Sequence, residues 1–422
     1  MLYVLLAVIQ IALSWASGPP LQNDLQAVNE TTTAHRISEP QSSSSSKGTS
    51  GKLQVFIMMG QSNMVGYGTV GAPGKKGTLR DLVSQGKYPF LRQGNHWSVR
   101  DDVRIVWRGG GGNSVEEKGA SDLTVGWFDS RFIGPEIGFG NVIGDAIDNP
   151  VLLIKVGTGN RALGWDFRPP GTKRYESKGK TGEVRSFPGY GECPEASLPD
   201  SVEGMGANCG VCSEKALAQD CPVFWPNITR CNSCKGWYAG LQFDRDLSNV
   251  KAILENLSDY YPEYNEDKGF KISGFVFWQG MRDTLTEGHA RKYLKNMRRY
   301  IKQLWKAYKT YPGKKKFVYA TVGFGGCNSA GSNVTGYTRL EKMVYVAQKN
   351  TRKRHRSKFK GKVKVIDARP YWRDTSISPV NERHHYNRNA ETYMEVGKAL
   401  GSAMVDLLFK TKTYVKESCI KN

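Results

Sequence analysis

The segment Leu53-Gln54-Val55-Phe56-Ile57-Met58-Met59-Gly60-Gln61-Ser62-Asn63-Met64 decides the fold. It begins with an apolar run that only Gln54 interrupts, and Gly60 ends that run. A continuous apolar run bounded by a turn residue predicts a strand that is buried on both faces, as in a parallel sheet. Ser62 then lies just beyond the carboxyl end of this strand, where ligands bind in open α/β sheets.

Further apolar runs, and the helical patterns between them, extend this strand into a sheet. Strands are predicted at 103–107, 151–156, 275–278, 317–322 and 363–366. Helices are predicted from Pro135 onward and at 247–257, 293–308 and 390–408, where apolar residues recur at helical spacing. The alternation of strands and helices predicts an α/β fold, a three-layer α/β/α sandwich with a mostly parallel sheet.

Length and charge exclude several classes of protein. A chain of 422 residues with 39% hydrophobic residues is long enough to bury a core and is unlike a coiled coil, a collagen or a fully disordered protein. Its 60 Lys and Arg residues outnumber 39 Asp and Glu residues, which gives a net charge of +21. This excess predicts attraction to polyanions. Because no nucleic-acid-binding module is recognisable, we expect acidic polysaccharide as a partner and no nucleic acid.

The N-terminal segment predicts export. Residues 2–15 are largely apolar and uncharged, and small residues follow at 16–18. This run is short for a membrane span, so we expect a signal peptide over 1–18, with a membrane anchor as the alternative. Residues 19–50 are polar and Ser-rich and predict a disordered linker. We therefore expect a secreted, extracellular protein with one domain over 51–410, a tail over 411–422 and no membrane span once the signal is removed.

The cysteines and sequons fit an exported chain. A cysteine-rich insertion over about 171–240 contains Cys193, Cys209, Cys212, Cys221, Cys231 and Cys234, whereas Cys327 and Cys419 stand apart. Two C-x₂-C pairs have zinc-ribbon spacing, but thiols oxidise outside the cell, so we expect disulfides rather than zinc, with the pairing open. Sequons predict glycosylated surface sites at Asn29, Asn227, Asn256 and Asn333.

From its position alone, Ser62 has two interpretations. A serine at the start of a helix faces free backbone N–H groups, which suits a nucleophile beside an oxyanion site. The same position suits an ordinary helix N-cap.

Other segments accompany Ser62 in a fixed order. They are 133–140, the glycine block 151–170 with Lys155 and Trp165-Asp166-Phe167-Arg168-Pro169-Pro170, then 277–280 and 385–391. Together with 60–64 they resemble the SGNH-hydrolase superfamily. More narrowly, they resemble its carbohydrate acetylesterase group, which includes the sialate O-acetylesterase domain and carbohydrate esterase family 6. The resemblance spans about residues 52–408 and excludes the leader, the linker and the insertion.

The resemblance implies a role for each of the matching residues. Ser62 is the nucleophile, and His385 is the base that activates it. The oxyanion donors are the Ser62 N–H, the Gly159 N–H and the Gln279 side-chain amide. Relatives often carry two adjacent glycines at 159–160, whereas this chain has Asn160, so the backbone donor belongs to one of these two residues.

The third member of the triad is a choice between carboxylates. Glu382 stands three residues before His385, at the place of the superfamily's Asp, and Asp374 is the alternative acid. Glu382 also suits a surface ion pair with Arg383 or Arg388. His384 is the alternative base, and its other interpretation is packing or contact with the substrate.

The chain departs from the relatives after Gln279-Gly280. Where they commonly carry Glu followed two residues later by Asp, this chain has Met281 and Asp283. The lost Glu implies altered activity or substrate if it supports the site in relatives.

The expected reaction is hydrolysis of an O-acetylated carbohydrate, with no cofactor and no metal. Trp165, Trp278, Trp372 and Tyr386 lie near the matching blocks and suit either stacking on sugars or packing in the core. His96 and His289 stand in polar segments and are expected to be exposed. The alternative function is a catalytically inactive, secreted protein that binds polyanions or carbohydrate on the same scaffold.

Overall fold

A seven-stranded sheet forms the centre of the protein. The computed structural model describes residues 51–109, 116–178, 184–192, 238–327, 338–352, 356–415 and 419. The predicted leader, the Ser-rich linker and the cysteines of the insertion lie outside these residues. The strands are β1 (Leu53–Gly60), β2 (Gly68–Thr69), β3 (Arg92–Gln93), β4 (His96–Trp97), β5 (Arg100–Gly109), β6 (Glu116–Leu123), β7 (Phe132–Ile133), β8 (Val151–Lys155), β9 (Tyr175–Lys178), β10 (Val184–Phe187), β11 (Phe270–Trp278), β12 (Lys316–Ala320) and β13 (Val363–Ile366). The helices are α1 (Ser62–Val65), α2 (Leu79–Ser84), α3 (Pro135–Ala146), α4 (Leu241–Leu254), α5 (Leu257–Tyr260), α6 (Glu287–Ala307), α7 (Arg339–Asn350), α8 (Arg356–Phe359) and α9 (Ala390–Phe409).

The large sheet confirms the predicted α/β class. Its order is β13-β12-β11-β1-β8-β5-β6, and every neighbouring pair is parallel except β5 with β6. All six predicted strands are present. The sequence did not predict β6, because EEKGASDL has no apolar run. A polar edge strand of this kind also discourages pairing with another chain.

Helices cover both faces of the sheet. On β11, Phe277 packs against Tyr300 of α6 with ring centroids 5.0 Å apart, and Trp278 packs against Tyr393 of α9 at 5.4 Å. Successive residues of a strand point to opposite faces, so these two contacts define the two outer layers. On the second face α9 crosses α3 closely, since a Cβ built on Gly397 would lie 2.3 Å from the Pro135 carbonyl oxygen. The three-layer sandwich is confirmed, and α7 is the long helix that the sequence did not predict.

The order of the strands determines where the candidate site lies. Strands β8 and β5 lie on one side of β1 in the sheet. Strands β11, β12 and β13 lie on its other side. Loops that leave β8, β1 and β11 therefore emerge side by side at the carboxyl edge. Such a change of direction is where open α/β sheets bind ligands.

One disulfide is found among the described residues, between Cys327 and Cys419, which lie 92 positions apart. It joins the predicted C-terminal tail to the loop after β12. Among the described helices, none has the length and apolar character that a membrane crossing requires. Of the sequons, Asn256 lies in the described part of the chain and is exposed.

Candidate active site

The candidate nucleophile lies in a buried segment that follows β1. We call residues 60–67 the nucleophile segment. Gly60 has a φ of +146°, and a Cβ there would lie 2.3 Å from the Trp278 carbonyl oxygen, so the chain turns in a space that admits only glycine. Gln61 is the N-cap residue and Ser62 is the first residue of α1, so the N-cap interpretation of Ser62 is wrong. Ser62 is only 4% exposed.

The nucleophile segment is attached to the segment that carries the candidate base. We call residues 382–389 the histidine segment. Asn63 donates from Nδ2 to the His384 carbonyl oxygen (3.1 Å), and its Oδ1 accepts from the Tyr393 hydroxyl (2.8 Å). The Tyr67 ring stacks on the His385 ring with centroids 4.1 Å apart and planes within 1°. The fold thus brings Ser62 and His385 into neighbouring segments.

Glu382 is the carboxylate that contacts the candidate base. Its Oε1 lies 2.5 Å from His385 Nδ1, and its Oε2 accepts from Arg388. Burial raises the pKa of Glu382, but hydrogen bonds from Arg388 and His385 outweigh burial and lower it below its ordinary value. Burial, His384 and Arg388 together lower the pKa of His385 to about 4, although Glu382 acts in the opposite direction. His385 is therefore neutral at pH 7, with Nδ1 paired to an acid and Nε2 left for another partner.

The other candidates for base and acid are placed differently. The His384 side chain is 50% exposed, and its Nε2 lies 3.2 Å from the same Glu382 oxygen. Asp374 is exposed and accepts a hydrogen bond from the Trp372 indole at 2.8 Å. The surface-pair interpretation of Glu382 holds for Arg388, which shares the carboxylate with His385.

Ser62 and His385 do not form a hydrogen bond in the structure. Ser62 Oγ is buried and has no hydrogen-bond partner among the described residues, and the same is true of Gln61 Nε2. Hydrogen bonds of catalytic groups are often long or misaligned without substrate and tighten when it binds. Buried polar atoms are nearly always hydrogen-bonded, so Ser62 Oγ and Gln61 Nε2 are the atoms here that a polar ligand would satisfy.

The histidine segment has a strained backbone. Tyr386, Asn387 and Arg388 have φ values of 51°, 55° and 52°, in the left-handed region that side chains other than glycine rarely adopt. Each such residue costs about 1–3 kcal/mol and is found mainly at functional sites. Asn387 holds the turn: its Oδ1 accepts from the Glu382 N–H (3.1 Å) and its Nδ2 donates to the Arg373 carbonyl (3.0 Å).

The residues predicted as oxyanion donors follow strands β1, β8 and β11 at the same edge of the sheet. A Cβ built on Gly159 would lie 4.0 Å from the Ser62 Cβ, which places this backbone beside the serine. Asn160 has a φ of 55°, a conformation that Asn tolerates better than most residues, which explains how a residue other than glycine is accommodated here. Gln279 Nε2 donates to the Arg161 carbonyl (2.9 Å), to Asp283 (2.6 Å) and, at a longer distance, to Gln61 Oε1 (3.4 Å). A bond from Gln279 to an oxyanion would therefore replace one of these bonds.

Asp283 joins two of the loops that form the site. It is fully buried and accepts from the backbone N–H groups of Leu163 (2.8 Å) and Gly164 (2.7 Å) as well as from Gln279. Burial raises its pKa to about 6 against the effect of these hydrogen bonds. The sequence singled out Asp283 beside Met281 but contained no signal of this bridging role.

Several sequence-based expectations need correction. Trp165, Trp278 and Tyr386 are at most 2% exposed, so for them the core-packing interpretation is confirmed and stacking on sugars is wrong. His289 was expected to be exposed but is 6% exposed and packs between Trp165 and Phe187, because its helix turns this face inward. Burial and nearby arginines lower its pKa to about 3. His96 is exposed as predicted.

Three further residues position the site, namely Tyr67, Asn387 and Tyr393, and the sequence assigns none of them a role. Tyr393 has a weak sequence signal, because it stands on the inner face of a predicted helix. Tyr67 and Asn387 lie in short loops, where no periodicity marks a side chain as important.

Three side chains of the site also have the chemistry of metal ligands. Glu382, His384 and His385 offer ligand atoms that all lie within 4.8 Å of one another. A cation held by all three would compete with the His385–Glu382 hydrogen bond and would lie beside the Arg388 guanidinium. In the structure Glu382 is instead shared between His385 and Arg388.

Comparisons with known proteins assign no family to this chain. No protein-family model and no curated protein sequence matches the chain. Among solved structures, a protein of Arabidopsis thaliana is similar over 84% of this chain and 98% of its own, with 12% identity and a TM-score of 0.42. A carbohydrate acetylesterase of Xanthomonas citri is similar over 85% of this chain and 57% of its own, with 10% identity and a TM-score of 0.45. NanS is similar over 85% of this chain and 97% of its own, with 9% identity and a TM-score of 0.41. At these scores the likenesses assign no activity to this chain.

Proposed function

We propose that the protein is a secreted serine esterase that removes O-acetyl groups from a sugar or polysaccharide. The observation that carries the proposal is the Glu382–His385 pair, whose segment is hydrogen-bonded to the nucleophile segment that contains the unpartnered Ser62 hydroxyl. A buried serine, a neutral imidazole and an ionised carboxylate in this order are the parts of a nucleophilic triad.

Each residue has a defined step in the proposed reaction. His385 Nε2 removes the Ser62 proton as Oγ attacks the ester carbonyl, and Glu382 stabilises the resulting imidazolium through Nδ1–H. The tetrahedral oxyanion is stabilised by the N–H groups of Ser62 and Gly159, with Gln279 as the third donor. The sugar hydroxyl leaves with the proton from His385. Water then attacks the acetyl-enzyme by the same route and releases acetate.

The carbohydrate substrate is proposed from the sequence resemblance. The similarity to NanS and to the Xanthomonas citri carbohydrate acetylesterase is too low to support this substrate class. Export is proposed from the N-terminal segment, and the Cys327–Cys419 disulfide is the kind of bond that persists in an oxidising compartment.

Hydrolysis of p-nitrophenyl acetate by the purified mature chain tests the proposal. Ser62→Ala should lower kcat about 10⁴–10⁶-fold, because the nucleophile is lost. Ser84→Ala is the matched control, since Ser84 is an exposed serine on α2, and it should retain full activity. Release of acetate from acetylated xylan and from O-acetylated sialic acid then distinguishes the carbohydrate classes.

The alternative function predicts a different result. If wild type and Ser62→Ala are equally inactive while heparin binds tightly and salt weakens that binding, the protein is a polyanion-binding protein on a hydrolase scaffold. The net charge of +21 is the observation that favours this second candidate.

A further inference from the structure

A pocket rich in basic residues lies between the loop that follows the glycine block and helix α6. Its volume is about 130 Å³. Its cationic lining residues, which define what we call the basic pocket, are Arg168, Lys173, Arg174, Lys292, Lys295 and Arg299. No acidic residue lines it among those the structure describes. None of these residues belongs to the proposed triad or its oxyanion donors.

Little of this positive charge is neutralised within the protein. In the described part of the chain, Arg174 is the member of the basic pocket with a salt bridge, to Glu192 at 2.8 Å. Arg299 instead donates to the Gly171 carbonyl (2.9 Å). Lys292 and Arg168 both lie over the Tyr175 ring, with cation-to-centroid distances of 5.3 and 5.0 Å. Cations converge here on an aromatic ring and on carbonyl oxygens rather than on carboxylates.

Two buried hydrogen-bond donors of the basic pocket have no acceptor. Arg168 is fully buried and donates to the carbonyls of Gly164 (3.4 Å) and Lys173 (2.8 Å), but its Nε has no partner among the described residues. Asn296 is 4% exposed, and its Nδ2 also has no partner there. Buried polar groups in folded proteins are nearly always hydrogen-bonded, so two unpartnered N–H groups on residues that line one pocket point to an acceptor that comes from outside.

Burial among like charges is unfavourable for Arg168. Burial lowers its pKa to about 10, with Arg299 acting in the same direction and Tyr175 and Glu192 acting against it, yet the guanidinium remains charged at pH 7. An anion in the pocket would compensate this buried charge.

We propose that the basic pocket binds a tetrahedral oxyanion, a sulfate or phosphate group. The required ligand offers acceptors and no donors, carries more than one negative charge or several oxygens, and fits between the Arg168 side and α6. A tetrahedral oxyanion meets all three conditions, and a guanidinium is well suited to such a group. The group can arrive as a sulfate ester on a polysaccharide or as a free anion. This proposal does not depend on the esterase activity.

Direct binding measurements on the full mature chain test the proposal. The probes are inorganic sulfate, inorganic phosphate and a sulfated heparin oligosaccharide, each titrated calorimetrically at one fixed ionic strength, with desulfated oligosaccharide as the neutral counterpart. The Lys292→Gln/Lys295→Gln variant should weaken binding of the preferred anion at least about tenfold, because it removes two charges from one wall. The Lys306→Gln/Lys309→Gln variant changes net charge by the same amount on and just after the same helix, outside the basic pocket, and should bind within about twofold of wild type.

A second variant separates a built site from general attraction. Asn296→Leu keeps the charge and removes one unpartnered donor, so it should weaken the preferred anion several-fold while p-nitrophenyl acetate hydrolysis stays at the wild-type level. Tighter binding of the sulfated oligosaccharide than of either inorganic anion identifies a polysaccharide ester as the source, and the reverse identifies a free anion. The proposal is overturned if no anion binds, or if both lysine pairs weaken binding equally while Asn296→Leu changes nothing.

Discussion

The nucleophile segment and the histidine segment meet at one edge of the sheet but are held in different ways. The nucleophile segment continues the central strand, is mostly buried and rests on Lys155, whose Nζ donates to the Val65 carbonyl (2.7 Å) and to Glu136 (2.6 Å). Both members of that ion pair have side chains that are 1% exposed. The histidine segment is half-exposed and is held by polar contacts across a turn with left-handed backbone.

The two segments of the candidate site are therefore stabilised by different interactions. Core packing and a buried ion pair place the serine, so errors there should appear first as lost stability. Hydrogen bonds and a strained turn orient the histidine, so errors there should appear first as lost activity.

Apart from loss of the nucleophile itself in Ser62→Ala, the largest expected effect is on activity and belongs to the histidine segment. Glu382→Gln should lower kcat for p-nitrophenyl acetate about 10³–10⁴-fold, because the amide neither fixes the His385 tautomer nor stabilises the imidazolium. Its free energy of unfolding should fall by no more than about 1 kcal/mol, since the ion pair with Arg388 is partly exposed. Asp374→Asn is the matched control and should keep wild-type kcat. Equal losses of kcat in the two variants would contradict the assignment of Glu382 as the acid.

The second effect is on stability and belongs to the nucleophile segment. Lys155→Met should lower the free energy of unfolding, measured by urea denaturation, by about 3–5 kcal/mol, because it leaves the Glu136 carboxylate buried without a cation. The double variant Lys155→Met/Glu136→Gln removes both charges and should recover part of that loss. If the double variant is less stable than the single one, the pair does not act as a buried ion pair.

The same contrast explains how much the sequence could predict. The sheet, its parallel class and the position of Ser62 follow from continuous apolar runs, because residues buried on both faces leave a one-dimensional signal. Strand β6 and the contacts of Tyr67 leave no such signal in the sequence. The edge strand β6 is polar, and a loop such as that of Tyr67 has no hydrophobic periodicity. The spacing of Glu382 and His385 and the family resemblance predict their pairing, whereas the left-handed turn after them depends on Asn387 contacts that link distant segments.

The third prediction concerns pH and tests the environment of the candidate base. Its low pKa of about 4 keeps His385 neutral, and so active as a base, from pH 7 down to about pH 5, and activity should fall only as pH approaches 4. An ordinary histidine of pKa about 6.5 would be mostly protonated at pH 5, which corresponds to about 30-fold less active base than predicted here. The acid limb of kcat/KM between pH 3.5 and 7 is the measurement.

The control for this pH profile is His384→Gln. His384 lowers the pKa of His385, so its removal should move the acid limb to higher pH while the plateau is retained. An acid limb near pH 6.5 in the wild type would show that the base is solvated like an ordinary histidine.

The smallest effect concerns the backbone at Asn160, beside the proposed oxyanion donor. Both Asn160→Gly and Asn160→Ala remove the side-chain amide. Only alanine has a Cβ, which is sterically unfavourable at a φ of 55°. Asn160→Ala should therefore be less stable than Asn160→Gly by about 1–2 kcal/mol in urea denaturation. Because a strained residue would also shift the Gly159 N–H, kcat should fall further in the alanine variant, by less than about tenfold. If the two variants are equally stable, the left-handed backbone at this position is not what selects Asn in place of glycine.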